Sequence, residues 1–400
     1  MTSTSKKPQR SGWIWALALI CVLISIAASQ PAEAQTYTIL HTFTAGADGA
    51  EPQYWLVGDA NGNLYGTTWA GGCNPACNYG TVYKIDVNGN ESVIHVFPSY
   101  EGDGEQPSSA LVMDSAGNLY GTTQNGGTPE YGCAQPPGAT GCGTVYKLTA
   151  NAQESVLYNF LPTSAQIPTG PVLLNGGKLY GAASGTTSGG LVYQLGTSSG
   201  LAMLYQFTGG TDGAEPFQGL IRNKAGNLYG TTEDGGTSGV GTVFMLDPAG
   251  NKTTLHNFTG PDGAYPSGPL LMDATGNLYG VTREGGTSLI GTLFELDTNN
   301  NLTVLYSFIG GSQGAYPSGN LFRDGAGNFY GTTEQGGGSK DGTVYKVTPA
   351  GAETVLHAFT GSPDGESPSG LLYYRGALYG TTGGGGDPTC QCGIVYKLSQ

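Results

Sequence analysis

One heptapeptide, Gly-Asn-Leu-Tyr-Gly-Thr-Thr, recurs with small variations seven times along this chain, its tyrosines falling at Tyr65, Tyr120, Tyr180, Tyr229, Tyr279, Tyr330 and Tyr379. The same companion segments follow each copy in fixed order, so a unit of roughly 50 residues is repeated. A unit of that size cannot bury its apolar faces alone and packs on its neighbours, so the 400 residues read as one domain rather than two or three. The 70 glycines and 22 prolines recur in phase with Tyr, Val, Leu and Phe, which marks them as turns rather than low-complexity chain.

The copy that starts at Ser267 shows the unit: SGPLLMD, ATG, NLYGVT, REGGTSLIG, TLFELD, TNNN, LTVLYSF, then a connection to Pro317. Short β-branched and aromatic runs bounded by Gly, Asn and Asp predict four strands, here called a to d. The a-to-b and c-to-d links carry hairpin-turn chemistry, as in Ala60–Asn63 and Val87–Asn90. The b-to-c and d-to-a links are longer and vary between copies. Strands b and c carry apolar residues at both parities, which requires burial on both faces, and a blade between two blades satisfies it. The glycine after each repeat tyrosine has two readings, a close approach by a neighbouring group or a bulge.

The chain ends complete each other. The first copy begins with strand d alone, Tyr37 to Phe43, and the last stops after strand c, Gly393 to Leu398. The fold expected is therefore all-β: a seven-bladed β-propeller of four antiparallel strands per blade, its ring closed by the N-terminal strand joining the C-terminal blade. Units of this form resemble the GloVer tandem-repeat proteins of bacteria, whose copies carry GNLYGTT, a Gly-Gly pair, GTVYKL and a VLHSFTGG-DGA-P segment. The resemblance covers all seven units, from Tyr37 to Leu398. It implies a secreted, propeller-like protein and no particular activity. The copy with Gly177–Ser184 departs most, since Ile167-Pro168 replaces its Asp-Gly connection.

Residues 1–34 carry Lys6, Lys7 and Arg10, an apolar run from Trp13 to Ala28, and Ala32-Glu33-Ala34, the order of a cleaved secretory signal peptide. The apolar run falls short of the roughly 20 residues a spanning helix needs, so a secreted, extracellular or periplasmic domain of residues 35–400 with no membrane attachment is expected. Cleavage would move the formal charge from −14 to about −16 and leave twelve basic residues. Nucleic acid binding needs clustered Lys and Arg, so this class is excluded. A monomer is expected.

Because strands alternate in direction, the variable b-to-c and d-to-a loops share one face, where a rigid scaffold presents function. At the channel mouth lie the residues before proline, Glu51, Gln106, Ile167, Glu215, Tyr265, Tyr316 and Ser367. The ligand candidates are Glu51, Gln106, Glu215, Tyr265 and Tyr316 of these, with Trp69, Glu233, Asp234, Arg283, Glu284 and Glu334 from the b-to-c loops. Carboxylates, amides and aromatics together suit a polar ligand with apolar faces, a saccharide or a peptide. A carbohydrate-active enzyme, glycosidase or lyase, would instead need a carboxylate pair such as Glu215 with Glu233 or Glu284, at about 5 to 10 Å. A purely structural surface protein is the third reading.

His41, His95, His256 and His357 share one strand d position, where the other copies place Tyr158, Tyr205 and Tyr306. Interchange with tyrosine points to packing and a hydrogen bond rather than catalysis. Asp48, Asp103, Asp212, Asp262 and Asp364 supply one carboxylate per connection, too few for calcium, and read as turn residues. No metal or cofactor is expected. The pairs Cys73 with Cys77, Cys133 with Cys142, and Cys390 with Cys392 are disulfide candidates in an exported chain.

Overall fold

The structure, a computed structural model, describes residues 1–2, 35–72, 79–98, 102–127, 141–161, 166–185, 189–196, 200–216 and 218–399. Gln35–Gln400 pack as one unit built from seven antiparallel four-strand sheets arranged in a ring, a seven-bladed β-propeller. We number the blades by their b strands: Leu64–Thr68, Leu119–Gly126, Lys178–Gly185, Leu228–Thr232, Leu278–Glu284, Phe329–Gly336 and Ala377–Gly384. In blade 7 the outermost strand is the N-terminal Thr36–Thr42, which pairs antiparallel with Ile394–Ser399. The ring is thus closed by the first strand of the domain lying on the last.

Each letter of the repeat has a physical task. The Asn amide donates to an Asp of the a-to-b turn, as Asn63 does to Asp59 at 2.6 Å, and the Tyr hydroxyl donates to the same carboxylate at 3.1 Å. Blades 2, 5 and 6 repeat this network at Asp114, Asp273 and Asp324. The Leu is buried in every blade but the sixth, where Phe329 takes its place. The following glycine faces an aromatic ring on strand c: a Cβ on Gly230 would lie 2.8 Å from Phe244 Cζ, and one on Gly280 2.6 Å from Phe294 Cζ. Tyr83, Tyr146, Tyr193, Tyr345 and Tyr396 cover the equivalent glycines, so close approach, not a bulge, explains this residue. The second Thr bonds a buried Thr of strand c in five blades, as Thr232 does with Thr242 at 2.9 Å.

Contacts between blades run in the same circuit. A buried Phe from each outermost strand meets the strand c aromatic of the next blade edge-on: Phe43–Tyr83, Phe97–Tyr146, Phe160–Tyr193, Phe207–Phe244, Phe258–Phe294, Phe308–Tyr345 and Phe359–Tyr396. Centroid separations are 5.0 to 5.5 Å, and such pairs add about 0.5–1.5 kcal/mol each beyond burial. Two residues earlier sit the histidines, each beside the Asp of its own connection at 3.4, 3.6, 2.8 and 3.0 Å for His41, His95, His256 and His357. Tyr205 donates to Asp212 in the same manner. These aspartates also accept from a nearby Thr, as Asp262 does from Thr259 N and Oγ1.

At two of these junctions a half-buried carboxyl from the next blade lies beside the pair. Burial pushes Glu91 and Glu154 up to about 7, with the charges of Asp48 and Asp103 adding to it. A carboxyl raised above its unfolded value binds more protons when folded. Its contribution to stability is therefore full below about pH 4.3 and falls as pH rises through about 7. His41, lowered by burial against the pull of Asp48, acts on the other side, costing stability as pH drops below about 6.5. The melting temperature is expected to fall by a few degrees between about pH 6.5 and 8.5. In the double variant Glu91→Gln, Glu154→Gln that fall should be much smaller; an equal fall would assign it elsewhere.

Candidate functional site: the channel mouth

Strand a of every blade faces the axis, and its mouth end begins with the residue before proline. Six of these residues hold a left-handed backbone: Glu51, Gln106, Glu215, Tyr265, Tyr316 and Ser367, with φ between 54° and 58°. Side chains avoid that region at a cost of order 1–3 kcal/mol, so something must hold them there. Each donates its backbone N–H across the blade junction, to the carbonyls of Cys392, Tyr79, Gly189, Val240, Ile290 and Asp341 in turn, at 2.7 to 2.9 Å. The residue after each of those carbonyls is the glycine that opens strand c, and the proline seats on it: a Cβ on Gly241 would lie 2.6 Å from Pro266 Cδ. At the junction of blades 2 and 3, where Ile167 stands before Pro168, Ile167 is not left-handed.

The latch brings two positions of each blade together. In blade 1 Trp69 N donates to Glu51 O at 3.1 Å, and in blade 4 Glu233 N donates to Glu215 O at 3.1 Å. The mouth is consequently ringed by the residues before proline and by those after the Thr-Thr pair, the latter being Trp69, Gln124, Ser184, Glu233, Arg283, Glu334 and Gly383. Gln53 donates to Glu51 at 3.1 Å, and Asn125 donates to Gln106. Arg283 reaches from blade 5 to blade 6, donating from Nε and Nη2 to Glu334 Oε2 at 3.3 and 3.1 Å, and lies 5.7 Å from the Tyr316 ring centre.

Burial raises Glu233 to about 7; Asp234, Glu215 and Glu334 push the same way, and Arg283 opposes them. Glu215 is raised by burial and by Asp234, while Ser184 hydrogen bonding lowers it. Of the two pairs read from sequence, Glu215 with Glu233 is electrostatically coupled. Glu284 acts on Arg283 and is not among the groups that shift Glu233 or Glu215. Asp234 is exposed, Tyr265 is half-buried, and Trp69 packs against the core between blades 7 and 1.

Inside these rings lies a cavity of about 580 Å³ on the axis, lined from blades 1, 4, 5, 6 and 7. Gln53, Tyr54, Trp55, Gln218, Glu366 and Gln391 line it, with serines 267, 318, 367 and 369. Of the mouth residues read from sequence, Glu334 and Ser367 are among its walls. The missed signal was comparative: after proline, blades 2, 3, 5, 6 and 7 carry Ser-Ser, Thr-Gly or Ser-Gly, whereas blade 4 carries Phe217-Gln218 and blade 1 Gln53-Tyr54-Trp55. Trp55 packs on the backbone of Gly370 in blade 7, where a Cβ would meet it at 3.2 Å. Burial pushes the Tyr54 phenol up to about 12.

The sulfurs of Cys390 and Cys392, on either side of Gln391, lie 2.09 Å apart. Cys142 is buried; Cys73, Cys77 and Cys133 lie outside the described residues, as does the proposed signal segment from residue 3 to 34.

The sequence pattern described as the Gloeobacter/Verrucomicrobia repeat matches residues 28–134 and 129–325. No curated protein matches the chain. Among solved structures, the extracellular domain of a protein described as a one-component system from B. thetaiotaomicron is 13% identical with a TM-score of 0.56, over 92% of this chain and 40% of that one. A gluconolactonase from Xanthomonas campestris is 13% identical with a TM-score of 0.43, over 91% of this chain and 89% of that one. A luciferin-regenerating enzyme is 12% identical with a TM-score of 0.45, over 92% and 95%. At such identities the likeness is one of fold.

Proposed function

The chain belongs to the Gloeobacter/Verrucomicrobia repeat family, and on that footing we propose that it is a binding propeller whose axial cavity takes a saccharide. The observation that carries this is the Tyr54-Trp55 pair, which places two aromatic surfaces in a cavity otherwise walled by amides, hydroxyls and carboxylates. Sugar rings offer apolar faces for stacking and hydroxyl edges for such groups. The volume suits a small ligand, and among the described residues blade 1 alone supplies the aromatic platform, so one ligand per chain is expected. Export through residues 1–34 belongs to the same proposal: an oxidising compartment would keep Cys390 and Cys392 joined.

The test is a glycan array followed by titration of the best binder. Trp55→Ala should weaken binding at least about tenfold, roughly 1.4 kcal/mol, in a protein that still folds, its melting temperature lowered by the lost packing on Gly370. Binding untouched by that change, or no binding across the array, would defeat the proposal.

One observation favours a second reading. Glu233, held near 7 beside Glu215, has the proton affinity of a general acid at neutral pH. If the bound saccharide is also cleaved, Glu233→Gln should abolish turnover and leave binding intact. Cleavage that survives Glu233→Gln would remove this reading.

A further inference from the structure

Resting on the saccharide reading of the mouth, we propose that the ligand is an amino sugar, bound through a protonated primary amine by the Glu366 carboxylate. Glu366 lines the cavity, and among the described residues its carboxylate has neither a hydrogen-bond donor nor an ion-pair partner. Among the described residues no lysine or arginine lines the cavity. At the two rings around it the charged side chains are Glu51, Glu215, Glu233 and Glu334 against Arg283 alone. Arg283 is committed to Glu334, and both of its bonds fall on Oε2. Further out in the blade 6 b-to-c loop, Lys340 and Asp341 offset each other.

The walls therefore present an uncompensated negative field within a concave site, which concentrates cations. Glu233, raised chiefly by burial, is pushed the same way by Asp234, Glu215 and Glu334 and opposed by Arg283. A neutral sugar that displaced water from Glu366 would offer it hydroxyl donors but leave its charge uncompensated. An acidic sugar would meet the same charge with its own. A protonated amine instead makes a charge-assisted hydrogen bond to Glu366 while its ring stacks on Trp55 or Tyr54.

The experiment compares a glucosamine tetramer with its fully N-acetylated counterpart by calorimetric titration at about pH 6 and low ionic strength, where surface and cavity charges are least screened. The amine form should bind at least about tenfold tighter, and Glu366→Gln should erase that advantage by weakening the amine tetramer at least about tenfold more than the acetylated one. Raising the salt should narrow the gap. Equal or tighter binding of the acetylated tetramer, or an amine advantage that survives in Glu366→Gln, overturns the inference. A tetralysine peptide that displaces the glucosamine tetramer with equal affinity also overturns it, by pointing to a basic peptide. Should tetramers bind through Trp55 without preference for the amine, the saccharide reading stands and this inference fails. If no tetramer and no other saccharide binds, both fail.

Discussion

Removing residues 35–44 should open the ring, lower the melting temperature by more than about 10 °C, and convert the protein into self-associating species. Three losses combine. The strand Thr36–Thr42 supplies the outer edge of blade 7 through its six-residue register with Ile394–Ser399. Tyr37 stacks on His357 of blade 6 at 3.8 Å and donates to the Asp364 carbonyl at 2.6 Å. Phe43, fully buried, packs edge-on against Tyr83 of blade 1. Deleting a buried Phe side chain alone costs about 3–5 kcal/mol, a large share of a marginal total. The exposed strand would also offer unpaired backbone groups to a second molecule. Calorimetry and light scattering read both effects; a truncated domain that melts like the full-length protein and stays monomeric would refute closure by this strand.

Gly241→Ala is expected to destabilise by about 3 kcal/mol or more. Gly241 has φ of +100°, and an added Cβ would lie 2.5 Å from the Thr232 carbonyl oxygen, 2.6 Å from that of Glu233 and 2.6 Å from Pro266 Cδ. All three contacts are backbone or ring atoms at the latch between blades 4 and 5, so none can yield cheaply. The control is Gly239→Ala. It shares a left-handed φ, +76°, but its Cβ would meet nothing within 4 Å, so only the conformational cost of about 1 kcal/mol applies. Denaturant titration of the two variants separates steric exclusion from backbone preference. Equal losses would mean that seating of the proline contributes nothing.

The architecture was legible because it is periodic. Seven tyrosines in phase, a lone strand d at the start and a missing strand d at the end leave one closed arrangement, and the ring closes as that count requires. The latch was not legible in the same way. A residue before proline ordinarily prefers an extended backbone, and nothing local in Glu51-Pro52 or Tyr265-Pro266 announces a left-handed φ. It arises because the neighbouring blade offers a carbonyl and a glycine surface, a tertiary effect that overrides the local preference.

The cavity was partly hidden for a related reason. Gln53, Gln218 and Glu366 come from blades 1, 4 and 7, at positions equivalent or close in the repeat, and they meet only at the axis. Reading along the chain favoured the loops with the most charge, which located the outer rings. Reading down the columns of the repeat would have found Tyr54 and Trp55, large side chains where most other blades carry small ones. Repeated residues build the scaffold, and chemistry is to be sought where a column breaks.

The most direct test of that claim is a crystal structure of the protein with the tightest saccharide from the array. The account predicts one ligand per chain in the axial cavity, a sugar ring on Trp55 or Tyr54, and contacts to Gln53 and Glu366. The opposite face carries grooves between blades, including one of about 860 Å³ bounded by Tyr229, Met245 and Met272. A ligand seated there, or repeated at several equivalent blade junctions with the axial cavity empty, would contradict it.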